Sequence, residues 1–262
     1  MFRLSISNIG WPSEDDMTVY SLMQKLGFTG LEIAPTRIFP LKPYEHIQDA
    51  HTWSRSLHEN YGFLVPSIQS IWYGKTERLF GTEQERLELL SYTRKAIDFA
   101  EAISCRNLVF GCPKNRLIPQ DNNDDIAIEF FRSLGNYACE HDTVIGMEAN
   151  PVIYGTNYIN TTEEAIDLVR RIESDGFKLN LDIGTMIYNN EDISVLENDI
   201  DLINHVHISE PSLKAIQKRE LHHEIKDILA DRYDGFVSIE MGKDCGLEAI
   251  QSCMSYVKEI FQ

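Results

Sequence analysis

Short strand-like runs alternate with longer helix-like runs along the whole chain. This order is typical of a parallel sheet built by βα crossovers. Eight strand candidates are present, over residues 2–7, 30–33, 65–70, 107–110, 144–148, 178–183, 205–209 and 236–241. The runs between them, such as 83–102 and 162–172, place apolar residues at helical spacing and are predicted to form an outer ring of helices.

The length of the chain fits one closed barrel. A complete eight-fold βα barrel takes about 250 residues, and this chain has 262. No linker rich in Pro, Gly or Ser interrupts the pattern. The sequence therefore predicts an α/β fold, a single-domain (β/α)₈ TIM barrel over residues 1–262, with an open doubly wound sheet as the alternative.

Signals for the start and the end of helices support this division of the chain. Thr161 and Thr162 offer hydroxyl caps, and the acidic residues that follow suit the first turn of a helix. Gly27 and Gly176 stand where two of the predicted helices should end.

The net charge of −17 would repel a phosphate backbone, and Lys and Arg occur in no cluster larger than a pair. Nucleic acid is therefore not expected as a partner. The acidity is explained either by solubility or by carboxylates that serve a cation.

Cysteine content and hydropathy bear on the compartment. Five cysteines without a Cys-x-x-Cys motif argue against a disulfide framework and a structural zinc site, and fit a reducing cytoplasm. The first ten residues read as a strand, and no apolar run approaches the ~18 residues of a membrane span. We expect a cytoplasmic protein without membrane contact, and a homo-oligomer is compatible with the sequence.

The last four strand candidates each place an ionisable residue at or near their carboxyl ends. These residues are Glu148, Asp182, His207 and Glu240, at spacings of 34, 25 and 33 residues. Each spacing approximates one βα unit, so a barrel would bring the four side chains to one rim. A single carboxylate there often caps a helix and a single strand histidine often lies in the core, but four in succession predict a site.

Three converging carboxylates would repel one another unless a cation lies between them. Oxygen ligands with one imidazole suit a single divalent ion, Mn²⁺, Mg²⁺, Co²⁺ or Zn²⁺. Such an ion would act as a Lewis acid beside a carbonyl. Glu148 and Glu240 are the natural pair to exchange a carbon-bound proton. His205, on the same strand face as His207, is a competing ligand.

These strand ends resemble the xylose-isomerase-like superfamily of sugar isomerases and epimerases. The likeness spans essentially the whole chain, from Gly30-Leu-Glu-Ile-Ala through His205-Val-His-Ile-Ser-Glu-Pro to Ser238-Ile-Glu-Met. It implies that Glu148, Asp182, His207 and Glu240 hold the metal and that Glu148 and Glu240 are also the catalytic acid/base residues. It also favours His207 over His205, because His207 leads directly into Ser209 and Glu210.

Two positions depart from the pattern of ketose 3-epimerases. Those relatives usually carry a histidine three residues after the Asp ligand and an arginine six residues after the His ligand. Thr185 and Leu213 stand there in this chain. Because both family residues normally bind substrate oxygens, the departures point to another substrate, such as a phosphorylated, acidic or nucleotide-linked sugar or a cyclitol.

Further polar and aromatic residues are candidates for contact with a carbohydrate substrate. Six of the eight also have a structural alternative: a solvated loop for the cations, core packing for the tryptophan, a cap for the strand-end glutamate and a surface helix for the histidine pair. The candidates are Glu32, Gln69, Trp72, Lys114, Arg116, Glu210, His222 and His223.

The leading functional hypothesis is a metal-dependent sugar isomerase or epimerase. A dehydratase of a keto-cyclitol or dehydro-acid uses the same proton abstraction and is the alternative. An endonuclease IV-like phosphodiesterase is remote, because the early strands 2–7 and 65–70 carry no histidine and the charge opposes DNA. A non-catalytic binding barrel is the fourth hypothesis.

Overall fold

The computed structural model describes residues 2–120 and 124–262, and a single parallel sheet organises them. The sheet order is β2-β1-β7-β6-β5-β4-β3, and every pairing is parallel. The strands are β1 (Arg3–Ser7), β2 (Gly30–Glu32), β3 (Leu108–Phe110), β4 (Ile145–Met147), β5 (Phe177–Asp182), β6 (Ile203–Ser209) and β7 (Phe236–Glu240).

Residues 64–69 join the two ends of this sheet. Single-residue bridges connect Leu64 to β2 and Ile68 to both Ile33 and β3. The regular strand predicted over 65–70 is therefore wrong, although the segment occupies the expected third position of the barrel. Pro66 lies inside it and has no N–H to give to a ladder, which is a physical reason for the interruption.

Nine α-helices among the described residues surround the sheet. They are α1 (Asp16–Leu26), α2 (Pro35–Ile38), α3 (Ile47–Tyr61), α4 (Glu83–Ala102), α5 (Asp125–Glu140), α6 (Thr162–Ile172), α7 (Ile183–Asn189), α8 (Glu220–Leu229) and α9 (Leu247–Phe261). The predicted helices over 83–102 and 162–172 are confirmed. Both begin with a capping box, in which a threonine hydroxyl and a glutamate satisfy backbone N–H groups of the first turn.

Two predicted helix ends have different outcomes. Gly27 ends α1 in the left-handed conformation, with φ 77°, as expected. Gly176 does not end α6, because Glu173 takes the left-handed position that follows Ile172. A Cβ at Gly176 would lie 1.9 Å from the carbonyl oxygen of Gly135, so glycine here permits the close approach to α5.

The inside of the barrel is polar. Along β1 and β7 the apolar residues Leu4, Ile6, Val237 and Ile239 alternate with serines and Glu240, and all of them are at most 9% exposed. The polar set hydrogen-bonds across neighbouring strands, as in the 3.3 Å contact between Ser238 Oγ and Ser5 Oγ. The apolar set packs toward the helices, so the barrel axis is left for a buried column of polar groups.

Candidate metal centre

Four ionisable side chains converge at the carboxyl ends of β4 to β7. Glu148 follows β4 directly, Asp182 and Glu240 are the last residues of β5 and β7, and His207 lies within β6. One donor atom from each lies within 4.8 Å of the others. Because β7, β6, β5 and β4 are consecutive neighbours in the sheet, the strand order itself produces the cluster.

Glu32 orients the imidazole of His207. Its Oε2 lies 2.8 Å from His207 Nε2, and on the other side of the ring Nδ1 lies 3.0 Å from Glu148 Oε1. His205 is absent from the four-residue cluster, and its Nε2 lies 3.1 Å from the same Glu32 oxygen. The structure thus directs His207 Nδ1 at the carboxylates and leaves His205 behind Glu32.

Asp182 is fixed by hydroxyl and amide groups. The backbone N–H of Thr185 donates to Asp182 Oδ2 at 2.9 Å, and the Thr185 hydroxyl lies 2.8 Å from the same oxygen. The Ser209 hydroxyl donates to the second carboxylate oxygen and accepts from the backbone N–H of Gly184. Thr185 is 1% exposed, so a buried hydroxyl group holds the Asp182 carboxylate from this position.

Two asparagines hold the carboxylate of Glu148. Asn180 Nδ2 donates to Oε1 and Asn150 Nδ2 donates to Oε2, each at 3.0 Å. Asn180 also accepts from Asn107 Nδ2 at 3.2 Å, which extends the network across the barrel. Sequence reasoning missed all three asparagines. Asn180 stands two residues before Asp182, on the same strand face, and that spacing was the available signal.

The pKa values of the buried ionisable groups are shifted in different directions. Burial and the charge of Glu148 raise the pKa of Asp182 to about 6, and burial with the same neighbour raises the pKa of Glu240 well above its ordinary value. Burial alone would raise the pKa of Glu32, but His207 holds it well below the usual range. Burial alone would lower the pKa of His207, but Glu32 and Glu240 raise it well above 6.5.

The donor set fits a divalent cation. Three carboxylates and one imidazole are the oxygen and nitrogen ligands that such ions take. Burial and the nearby charge of Glu148 raise the pKa of both Asp182 and Glu240, and a cation held between these carboxylates would relieve that repulsion. A metal-ligating histidine characteristically donates its other N–H to a carboxylate, as His207 is placed to do toward Glu32.

A cleft of about 170 Å³ opens over the cluster. Its wall combines Glu148, Asp182 and Glu240 with neutral groups. The neutral lining residues are Gln69, Ser70, Val109, Gly111, Cys112, Pro113, Asn150, Tyr154, Ser209 and Leu213. None of these described lining residues is Lys or Arg, so the cleft offers hydroxyl, amide and carboxylate groups to a ligand.

Of the earlier candidates for substrate contact, Gln69 lies in the cleft wall and Glu32 beneath it. Gln69 Nε2 donates to Glu32 Oε1 at 3.0 Å. Trp72 is 2% exposed, stacks edge-on against Phe110 and donates its indole N–H to Thr93. The structure therefore places Trp72 in the core and not in the cleft wall.

The two loop cations also lie outside the cleft wall. Lys114 is exposed, whereas Arg116 is fully buried and donates to the Glu148 carbonyl oxygen at 3.1 Å and to Asn150 Oδ1 at 2.9 Å. Burial lowers the pKa of Arg116 to about 10. This arginine holds the backbone behind Glu148 and presents no free guanidinium to a ligand.

The remaining candidates lie in the segment after β6. Glu210 is 3% exposed and makes a bidentate ion pair with Arg219, at 2.7 and 2.6 Å. His222 Nδ1 lies 2.9 Å from the Tyr256 hydroxyl, and burial lowers the pKa of His222 to about 4. His223 lines a separate surface cleft near α9. Glu210 and His222 hold the loop and α8 in place, and none of the three residues lines the cleft over the cluster.

The profile of one protein family, the xylose isomerase-like TIM barrel, matches residues 20–257. The chain belongs to this family. No curated protein matches it.

Solved structures share the fold at low sequence identity. The E. coli 3-keto-D-glucoside 4-epimerase superposes with a TM-score of 0.79 at 17% identity, over 99% of this chain and all of the other. The D-psicose 3-epimerase of Clostridium cellulolyticum H10, solved with D-tagatose, gives 0.80 at 16%, over all of both chains. An AP endonuclease of family 2 from Brucella melitensis gives 0.75 at 20%, over 98% of each. At these identities the likeness establishes the barrel fold.

No helix in the described part of the chain is long and apolar enough to cross a membrane.

Proposed function

We propose that this chain is a divalent-metal-dependent sugar epimerase or isomerase that moves a proton on the carbon beside a carbonyl. The observation that carries the proposal is the convergence of Glu148, Asp182, His207 and Glu240 at a cleft whose other described lining residues are uncharged. The family membership and the two epimerases among the structural relatives support it.

We assign the proton exchange to Glu148 and Glu240. They come from β4 and β7, the outer strands of the four that build the cluster, and both line the cleft. A carbon held between them can lose its proton to one carboxylate and regain one from the other. Transfer to the opposite face inverts the centre, which is epimerisation, whereas return to the neighbouring carbon gives isomerisation.

The same four side chains would hold the metal. When bound, the ion would supply Lewis acidity toward substrate oxygens. Glu32 keeps His207 Nδ1 aimed at the carboxylates, and Thr185 with Ser209 keeps Asp182 in place. Burial and the charge of Glu148 raise the pKa of Glu240, and carboxyl groups with raised pKa values are common at catalytic sites.

The lining of the cleft favours an uncharged keto sugar. A phosphate or carboxylate on the substrate would lie beside three carboxylates, and none of the described lining residues is a Lys or Arg that could pair with it. Leu213 closes one side of the cleft with an apolar side chain and Arg116 is buried behind Glu148. Gln69, Asn150 and Tyr154 provide the hydrogen-bonding groups that sugar hydroxyls need.

Proton exchange with solvent tests the proposal directly. Chelator-treated protein reloaded with Mn²⁺ is incubated in D₂O with a panel of free ketoses and 3-keto glycosides. We expect deuterium at the carbon beside the carbonyl and a new epimer or isomer by NMR. Glu148→Gln and Glu240→Gln should each reduce the rate by roughly 10²- to 10⁴-fold, the usual contribution of general acid-base catalysis.

Glu163→Gln, an exposed carboxylate in the first turn of α6, is the matched control and should leave the rate unchanged. Full turnover in both cleft variants would refute the two-carboxylate scheme. Loss of one water from the substrate, detected by mass spectrometry, would instead identify a dehydratase.

A further inference from the structure

One turn in the wall of the catalytic cleft has an unfavourable backbone conformation. Leu213 lines the cleft with a φ of 54°, and the preceding Ser212 has a φ of 62°. This left-handed region is disfavoured for most residues other than glycine, because the Cβ atom crowds the following carbonyl oxygen. Two such residues in succession persist only where the surrounding structure holds them, and strain of this kind clusters at ligand-binding sites.

Hydrogen bonds to three loops hold this turn. The N–H of Leu213 donates to the Glu210 carbonyl oxygen at 2.9 Å, and the N–H of Ser212 donates to the Tyr154 hydroxyl at 2.8 Å. Gly242, just after β7, donates its N–H to the Leu213 carbonyl oxygen at 2.7 Å. The turn after β6 is thereby tied to the loops that follow β4 and β7, which fixes the backbone of Leu213 in the cleft wall.

Leu213 has only hydrocarbon to offer a ligand. Its N–H is used on Glu210, and its carbonyl oxygen accepts from the Gly242 N–H and, at 3.8 Å, from the Cys245 thiol. The part of a substrate that lies against Leu213 therefore gives up water without gaining a hydrogen bond from this residue. A methyl group gains from this exchange because its apolar surface is buried, whereas a hydroxyl group loses a hydrogen bond to water.

The size of the cleft brings the sugar itself against this wall. The cleft volume of about 170 Å³ is below the roughly 300–1,000 Å³ of sites for drug-sized ligands. A monosaccharide without a large appended group suits this space. Under the proposed function the oxygens beside the reacting carbon lie at the carboxylate cluster, which leaves Leu213 to contact the remainder of the sugar.

Resting on the function proposed above, we propose that the substrate is a terminally deoxygenated ketose and that Leu213 is the residue that selects its methyl group. Val109 and Pro113 also line the cleft, so its wall offers further hydrocarbon surface to a partly apolar sugar. Apolar walls discriminate against an added hydroxyl group by up to about 100-fold. The preference for the deoxy sugar is therefore large enough to measure.

Competition between matched sugars tests the preference. The Mn²⁺-loaded chain is incubated in D₂O with an equimolar pair, a 2-ketohexose and its 6-deoxy counterpart of the same stereochemistry, and the pairs cover the stereoisomers. Deuterium uptake by NMR gives the ratio of the two kcat/KM values. We expect the deoxy sugar of each converted pair to be favoured at least about tenfold.

Leu213→Asn tests the assignment to this residue. Asparagine is close to leucine in size, tolerates the left-handed conformation and adds an amide that can hydrogen-bond a hydroxyl group. We expect the deoxy preference to fall by at least about tenfold. Because both sugars compete in one sample, the ratio does not depend on the fraction of folded enzyme. Leu41→Asn, 80% exposed and outside the cleft, is the matched control and should keep the ratio of the parent chain.

Titration calorimetry of the same pairs with the Mn²⁺-loaded chain measures the preference without turnover. Tighter binding of a deoxy sugar, with no deuterium in any sugar, would refute the proposed proton transfer and still support the deoxy preference. The proposal is overturned if the sugars of each pair react and bind equally, if no deoxy sugar binds, or if Leu213→Asn keeps the ratio of the parent chain.

Discussion

The two halves of the barrel differ in how their strands are paired. In the later half, β5 and β6 span six and seven residues, and β4 to β7 pair in consecutive order, with one register shift between Leu179 and Asn180. In the early half, β2 and β3 have three residues each, and the segment between them makes only single bridges. Every proposed metal ligand comes from the later half.

The early half supplies supports instead. Glu32, at the end of β2, contacts His207, and Asn107, just before β3, donates to Asn180. The two kinds of residue carry opposite shifts, because the pKa of Asp182 is raised and that of Glu32 is lowered. The difference teaches that the continuous set of strands β4 to β7 positions the proposed ligands, whereas the early half supplies hydrogen bonds that orient them.

The strongest test of this division is the loss of a ligand in the later half. Asp182→Asn removes a charge from the cluster while Thr185 and Ser209 keep their place. We expect the affinity for Mn²⁺, measured by titration of chelator-treated protein, to fall by roughly 100-fold or more, above the range of outer-shell changes. Asp167→Asn, 62% exposed on α6, is the control and should bind as the parent chain does. An unchanged affinity in Asp182→Asn would remove this carboxylate from the ligand set.

A change in the early half should have an intermediate effect. Glu32→Gln keeps an acceptor near His207 but removes the charge that orients and polarises the ring. We expect Mn²⁺ affinity to fall by roughly 10- to 100-fold, with saturating Mn²⁺ restoring turnover. Glu45→Gln, at an exposed position of the same half, is the control.

The size of the loss of Mn²⁺ affinity in Glu32→Gln distinguishes three possible roles of Glu32: an orienting partner of His207, a direct ligand, or neither. A loss as large as that of Asp182→Asn would make Glu32 a direct ligand and break the distinction between the halves. No loss at all would show that His207 is held by packing alone.

The later half was also the more predictable half. Glu148, Asp182 and Glu240 end or follow apolar strand patterns, and parallel strands carry such ends to a common rim, so their spacing singled them out. The spacing left His205 and His207 as alternatives, and the family resemblance favoured His207. The barrel fold followed from the same alternation. The early half was less predictable because Pro66 interrupts the ladder of the third strand position, and no local signal marks single-residue bridges.

Side chains that act across the barrel were not predictable. Asn107 and Asn180 are 73 positions apart in the chain, and their side chains meet only in the folded barrel. Arginine is rarely fully buried without partners, and the sequence shows none beside Arg116. Arg116 was therefore expected to be either a solvated loop cation or a ligand for an anion. Its partners are carbonyl and amide oxygens of Glu148, Asn150 and Ile159, which the sequence alone does not bring together.

The smallest predicted effect is a pH dependence of the Mn²⁺ affinity. It follows from the raised pKa of a carboxylate in the later half. With a pKa of about 6 in the metal-free chain, Asp182 must release a proton when a cation binds. Mn²⁺ affinity should therefore fall by up to about tenfold per pH unit below 6 through Asp182, and it should go on rising above pH 6 because His207 and Glu240 also have raised pKa values and must lose their protons to the metal. Titrations between pH 5 and 7.5 measure this slope.

The metal-free protein should show the reverse trend in stability. A carboxyl group whose pKa is raised on folding contributes stability at low pH, and that contribution is lost as the pH rises through about 6. The thermal midpoint of the metal-free chain should then decline from pH 5 to pH 7, and Mn²⁺ should recover more of it at pH 7. Asp182→Asn should flatten the pH dependence of both the Mn²⁺ affinity and the thermal midpoint. The carboxylate of Glu32 stays ionised throughout this range, so Glu32→Gln should retain the pH dependence that Asp182 sets. Equal flattening in the two variants would mean that the halves titrate as one unit and that the division of roles between them fails.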